Sequence, residues 1–431
     1  MPRVIYLVAL ENIFDNAIFE NMVKKLLLRI QGDRERRVEL TLVCLLPWFE
    51  LTRRGPYSNF RRFRRQMVEL RRELSSRGVG LEFVRTPVPS AFFDMGPVLL
   101  AWLACWAVPA VWWKIVRLRA RVVHCRYYYA AFLALAARLL VPGPVRVIFD
   151  VRTLLPEQGL VNRKWREGGP AFRFWKALER WMLGRADKVV SVSPAMTARL
   201  EQESPGLSPE TIPNFVDLEH FRADEELRRR VRRELGVEHR RVLVFSGTLG
   251  GRYPYGRMAE CAELFFRMSG PEGYLMVLTG SDEKRLAPLV AELEHRGRRR
   301  GADWQAYHCK VEEVPGMLAA ADWALLVLAD FLTSETFLPI KFAEYLALGL
   351  PILTHPANRE LARLVLGYRV GAVLDPDLPE GTLRSLLTDG PGAMRDRCRQ
   401  AAREHFDLDR FASRYAALYR ELAAGLETGP G

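Results

Sequence analysis

The strongest constraint on this chain is a twofold series in which short apolar runs alternate with amphipathic stretches. In the first series, strand-length runs fall at Arg3–Ala9, Val38–Leu46, Leu81–Arg85, Val122–Cys125, Val145–Asp150 and Lys188–Val192. Helical periodicity lies between them, as at Ala17–Ile30 and Asn59–Ser76. The second series has runs at Val242–Ser246, Tyr274–Thr279, Trp304–Tyr307, Trp323–Leu328, Pro351–Thr354 and Ala372–Leu374. Its helices are read at Arg257–Met268, Asp282–Arg296, Val314–Ala320, Ile340–Leu348 and Arg359–Leu366. Strand and helix in turn imply βαβ units on a parallel sheet. Two such series imply an α/β chain of two doubly wound, Rossmann-like domains.

The boundary falls near residues 213–222, where Thr211–Asp217 is broken by Pro213 and Asn214 before a charged run begins. This gives a first domain at 1–212, a second at 213–405 and a C-terminal helix and tail at 406–431, the helix being Leu408–Ala424. Doubly wound sheets take ligands beyond the carboxyl ends of their strands, and two facing sheets imply a cleft. The six cysteines are scattered with no C-x-x-C pair, which argues against a metal cluster or a disulfide framework and for a reducing, cytoplasmic setting. The seven histidines have no metal-ligand spacing. Met1-Pro2-Arg3 leads straight into a strand-length run, so no signal peptide is expected. A net charge of +13 suits a polyanionic partner, but no nucleic-acid-binding motif accompanies it, and nucleic acid is not expected as a partner.

The segment Thr333–Pro351 reads as a polar loop entering a helix that Gly349 ends and Pro351 stops. Pro339 suits the first helical turn. Free amides at a helix start attract anions, and Lys341 adds a full charge there, with Glu344 on the same face. Together they suit a nucleoside diphosphate, the free amides at the helix start and the lysine taking phosphate and the carboxylate taking ribose hydroxyls. Local chemistry alone equally fits a capped helix with an i,i+3 ion pair. Gly247, Gly250 and Gly251 follow a strand and read as a turn, or as the opposite wall of that pocket. In the first domain, His124 ends a strand before Arg126 and Tyr127, and Asp150 and Arg152 end the next, followed by Glu157. His124 fits either an acceptor-side acid/base or a satisfied structural histidine. Asp150 and Arg152 fit an ion pair.

Pro339-Ile340-Lys341-Phe342-Ala343-Glu344-Tyr345-Leu346-Ala347-Leu348-Gly349-Leu350-Pro351 resembles the donor-site signature of family-four glycosyltransferases of the GT-B fold, in the subgroup reading Pro-x-Lys-x-x-Glu-Tyr. Phe245–Tyr253 is similar to the glycine turn of the donor domain, Ile212–Asp217 with Phe221 to the interdomain linker, and Ala186–Ser193 to the last acceptor-domain strand. The resemblance spans most of residues 120–425. It implies a retaining, metal-independent transferase, with a UDP- or GDP-linked sugar as donor substrate and no other cofactor. The acceptor would be a glycan or a lipid-linked, cell-surface precursor. Lys341 and Arg252 would stabilise the leaving diphosphate, Gly247, Thr248, Pro339 and Ile340 would line it, and Glu344 would hold the ribose. Thr336 stands where the first family glutamate would be, and Glu335, one place early, is expected to replace it. The alternatives are a degenerate GT-B scaffold or binding subunit, and a GT-B sugar-nucleotide epimerase.

Arg53–Arg77 carries nine arginines against two glutamates, and the uncharged Met95–Trp113 carries Trp102, Trp106, Trp112 and Trp113. The apolar stretch fits docking on a membrane surface, a buried core helix or a span. Paired with the basic run, it leads to the expectation of docking on an anionic cytoplasmic leaflet.

Overall fold

The structure, a computed structural model, describes residues 1–14, 16–32, 38–47, 60–86, 96–251, 253–329, 336, 338–375 and 391–426. The chain divides into one unit of Met1–Pro213 with Leu408–Gly431 and another of Asn214–Asp407. The last helix, Leu408–Ala424, read above as a separate terminal segment, is part of the first unit.

In the first unit the strands are β1 (Arg3–Ala9), β2 (Glu39–Pro47), β3 (Gly80–Thr86), β4 (Val122–Arg126), β5 (Arg146–Val151), β6 (Lys188–Ser191) and the short β7 (Glu210–Thr211). They form one parallel sheet in the order β3-β2-β1-β4-β5-β6-β7, with Tyr6 beside both Leu42 and His124. The central strands read as unbroken apolar runs because helices cover both faces. On one face Ile5, Leu7, Val123, Cys125, Val147 and Phe149 pack under helices Gly96–Arg117 and Tyr127–Arg138 and the end of Pro170–Leu183. The alternate residues Tyr6 and His124 point the other way and meet Tyr415 and Tyr419 of Leu408–Ala424. That helix packs on Lys25–Gly32. Phe60–Ser76 lies beside this second layer, through Phe63 against Phe14 and Glu73 against Lys24.

The second unit holds β8 (Arg241–Ser246), β9 (Gly273–Leu278), β10 (Trp304–Tyr307), β11 (Trp323–Leu325), β12 (Ile352–Thr354) and β13 (Gly371–Val373), parallel in the order β10-β9-β8-β11-β12-β13. β11 is shorter than the run expected through Leu328. Asn358 receives both backbone groups of Leu328, its amide donating to the Leu328 carbonyl at 2.6 Å and its oxygen accepting from the Leu328 amide at 2.8 Å. The charged run after the linker is a helix, Glu225–Glu234, whose Arg228 and Arg232 reach Asp322 at 2.6 and 3.2 Å. Asp322 also accepts from the Val242 amide and from Arg395, so one carboxylate ties the foot of β8 to two helices. Asp322→Ala should cost on the order of 2 kcal/mol in chemical denaturation. That is less than for a fully buried pair, because these groups keep some exposure.

Candidate functional site

Strand order reverses between β8 and β11 in the second unit, which makes the carboxyl end of β8 a ligand-facing position. Three glycines turn the chain there in the left-handed half of φ space: Gly247 at 153°, Gly250 at 85° and Gly251 at 59°. The turn is anchored from Gly247 to the Leu278 carbonyl at 2.9 Å and from the Leu249 amide to the Ser281 hydroxyl at 2.9 Å. Thr248 stands exposed at its tip.

The helix Ile340–Ala347 opens beside this turn. Its N-cap is Pro339 at φ −63° and ψ 143°, whose side chain makes no capping hydrogen bond. Pro339 is thus the residue before the first turn rather than within it, and Ile340 and Lys341 begin the helix. Two contacts fix its place: Asn214 donates to the Leu338 carbonyl at 2.6 Å, and the Ser246 amide donates to the buried Tyr345 hydroxyl at 2.9 Å. The second bond joins the end of β8 directly to the helix.

Lys341 runs along the glycine turn. A Cβ on Gly247 would lie 2.7 Å from the Lys341 Cε and 3.3 Å from its Nζ, so only glycine leaves this path open. The ammonium lies 5.9 Å from the Tyr253 ring centre. Burial works against its charge, but the Tyr253 hydroxyl and the Glu344 carboxylate outweigh burial and hold the Lys341 pKa above its ordinary value. Glu344 itself is 7% exposed. The result is a cation between the amides of a helix start and a glycine turn, an arrangement suited to anionic oxygen. Of the expected donor-site residues, Gly247, Thr248, Pro339, Ile340, Lys341 and Glu344 thus fall on one turn and one adjoining helix. Arg252 and Glu335 lie outside the described residues.

The first unit has its own reversal, between β1 and β4. Just past these strands, Leu10 and Tyr127 take φ values of 60° and 70°, unusual for residues with side chains. Between them Arg126, 6% exposed at its side chain, donates to Glu11 at 3.0 Å. Burial opposes the Arg126 charge, and Glu11 foremost sustains it. Arg126 was legible as a strand-end residue, but its partner was not, since Glu11 lies over a hundred positions away.

His124 does not face an open end. It is fully buried, with Nδ1 2.7 Å from the Tyr419 hydroxyl and Nε2 3.3 Å from Asp150. Arg152 donates to the same Asp150 oxygen at 2.8 Å and to the Tyr415 hydroxyl at 3.0 Å. The expectation of an acceptor-side acid/base is therefore corrected: the last helix covers the ring, and both nitrogens are engaged inside the protein. Burial lowers the His124 pKa against the opposing pull of Asp150, which keeps the ring neutral. Burial raises the Asp150 pKa, but Arg152 and then His124 overcome it and bring it down to about 2.

The sign for stability follows. The unfolded chain takes up a proton at about pH 6.5 that the folded His124 refuses. Its contribution is therefore complete above about pH 6.5 and is lost as pH falls toward the lowered folded pKa. The loss is at most about 1.4 kcal/mol per pH unit. His124→Gln should flatten the stability–pH curve below about pH 6.5, which equilibrium urea unfolding at several pH values reads directly.

Two doubly wound parallel sheets, each with a ligand-facing reversal, define the GT-B class of fold. Residues 63–220, which run from the first unit into the start of the second, match the family model described as Glycosyltransferase Family 4. No curated protein sequence matches the chain. Among solved structures, HepE of Anabaena in complex with UDP is 12% identical at a TM-score of 0.65, covering 98% of this chain and 100% of its own. Sucrose-phosphate synthase of Thermosynechococcus elongatus is 15% identical at 0.64, covering 99% and 100%. TarM is 8% identical at 0.63, covering 97% and 99%. At these identities the likeness is one of fold.

Proposed function

We propose that this protein is a retaining glycosyltransferase that moves a sugar from a UDP- or GDP-linked donor to a hydroxyl of a glycan or lipid-linked acceptor. The observation that carries the proposal is the path of Lys341 across Gly247 at the β8 switch point, beside the start of the Ile340–Ala347 helix. The bond that breaks joins the sugar's anomeric carbon to the diphosphate, which leaves with the electron pair. The bond that forms joins the same carbon to the acceptor oxygen, whose proton passes to the departing phosphate. Charge accumulates on the leaving diphosphate, and preorganised positive groups aimed at that charge are the main catalytic resource. Lys341 and the amides of Thr248 and Ile340 serve that role, and Glu344 receives the ribose hydroxyls. A structure of HepE with UDP-glucose, at 12% identity and a TM-score of 0.63, supports the choice of donor class.

The first unit, with Arg126 and Glu11 at its own strand ends, is assigned to the acceptor. Because the positive charge is supplied by the chain itself, turnover is expected to persist in the presence of a chelator. The test is a panel of nucleotide sugars incubated with and without candidate acceptors, scored by nucleoside diphosphate release. Release from one donor, raised at least about tenfold by an acceptor, supports transfer. Conversion of a donor to its epimer without acceptor points to an epimerase, and no turnover of any donor to a scaffold.

A further inference from the structure

The helix Gly96–Arg117 is long and apolar enough to cross a bilayer by length and composition. One side of it, however, is core: Leu99, Leu103, Ala107, Val111 and Ile115 are buried on the sheet of the first unit. The opposite side carries Val98, Ala101, Cys105, Trp106, Pro109 and Trp113, at helical spacing and exposed. Trp106 and Trp113 are each 54% exposed. Beside its far end, the Trp112 indole donates to the Leu140 carbonyl at 2.8 Å, which fixes the turn that exposes Leu139 and Leu140, 68% and 59% open. Large side chains of this kind are not left contiguous in water without a partner.

The charge around this surface selects the partner. No Asp or Glu occurs from residue 96 to residue 149, although acids from elsewhere pair with five of its seven Lys and Arg: Glu82 with Lys114 and Arg117, Glu11 with Arg126, and Asp187 with Arg138 and Arg146. The helix Pro170–Leu183, on the same face of the sheet, touches the start of the apolar helix where Trp175 closes on Gly96. Its exposed residues include Arg173, Phe174, Ala177 and Arg180, with Arg185 following. Arg185 stacks over Trp181 at 5.4 Å. The acid on this helix, Glu179, is turned inward and buried. The arginine-rich helix Phe60–Ser76, expected to pair with the tryptophans, lies on the opposite face of the sheet, and residues 53–59 fall outside the described residues. The expected pairing is thereby corrected.

We propose that the face formed by Gly96–Arg117, Leu139–Leu140 and Pro170–Leu183 docks on an anionic lipid bilayer. The tryptophans enter the headgroup boundary and Arg173, Arg180 and Arg185 lie on the lipid phosphates. Tryptophan suits that boundary because its ring is apolar and its N–H polar, and arginine binds phosphate through paired donors. The helix lies in the plane of the surface, because its other side is committed to the core. This proposal stands apart from the transferase reading.

The test is co-sedimentation of the full chain with vesicles of phosphatidylcholine alone or with phosphatidylglycerol added. The protein should pellet with the anionic vesicles, less in high salt but still measurably. The double variant Trp106→Ser/Trp113→Ser and the triple variant Arg173→Ser/Arg180→Ser/Arg185→Ser should each weaken binding about tenfold or more. Arg61→Ser/Arg62→Ser/Arg64→Ser/Arg65→Ser, on the opposite face, should change it less. All replaced side chains are exposed, and circular dichroism melting confirms that each variant is folded. Three outcomes overturn the proposal: wild-type protein left in the supernatant at low salt, binding lost with the Phe60–Ser76 variant alone, or a stable dimer in light scattering that the tryptophan variant dissociates. The last would show that a second copy covers this face.

Discussion

Replacing Lys341 with Ala is expected to lower nucleotide-sugar turnover by about two to three decades while leaving the protein folded. The magnitude is that of removing one preorganised group aimed at developing negative charge. The fold should persist, because the buried Tyr345 bond to Ser246 and the Asn214 bond to Leu338 hold the helix in place without the lysine. Gly247→Ala should produce a related loss by a different route. Its Cβ would fall 2.7 Å from the Lys341 Cε, at a φ of 153° that side chains rarely adopt, so the lysine must leave its path. Turnover should fall at least about tenfold even though every charged group remains. Steady-state kinetics with circular dichroism on both variants separates this account from loss of structure. Near-wild-type turnover in Lys341→Ala would remove the lysine from the site.

Asp150→Ala is expected to be the most destabilising single change in the first unit, at about 3–5 kcal/mol. Asp150 is fully buried and accepts from both His124 and Arg152. Removing it strands the Arg152 guanidinium in the interior and leaves one nitrogen of His124 without its partner, and both costs run in the same direction. A urea transition at pH 7 measures the loss. The effect reaches the last helix as well, because Arg152 and His124 are the polar links to Tyr415 and Tyr419. Cleavage of Leu408–Ala424 under limited proteolysis should therefore accelerate in the variant. A variant as stable as wild type would mean that the cluster does not anchor the C-terminal helix.

These residues show what was readable from sequence and what was not. The parallel sheets were legible because strands buried on both faces carry unbroken apolar runs, as in Val4–Ala9 and Val242–Phe245. The helix Ile340–Ala347 was legible because its residues are consecutive, so Pro339, Lys341, Glu344 and Gly349 keep their spacing whatever surrounds them. For His124 the sequence left an acid/base and a structural histidine equally open, for the opposite reason. A strand end is normally open, and the helix that covers it arrives nearly three hundred residues later, through Tyr419. The side of the sheet on which each helix lies was likewise hidden. Basic and apolar segments close in sequence lie on opposite faces because the connection from β2 to β3 and the one from β3 to β4 cross on different sides. The family match to residues 63–220 also begins earlier than the resemblance drawn from motifs, which was weak before residue 120, where loops and helices carry little fixed spacing.

The second unit is expected to bind a nucleoside diphosphate between the Gly247 turn and the start of the Ile340–Ala347 helix. Isothermal titration of the full chain with UDP and with GDP tests it most directly, in wild type, Lys341→Ala and Glu344→Ala. Wild type should bind one of the two with a stoichiometry near one, Lys341→Ala should lose most of the affinity, and adenosine and inorganic phosphate should not compete at matched concentration. Binding of neither nucleotide by wild type, or equal binding by all three proteins, would contradict it.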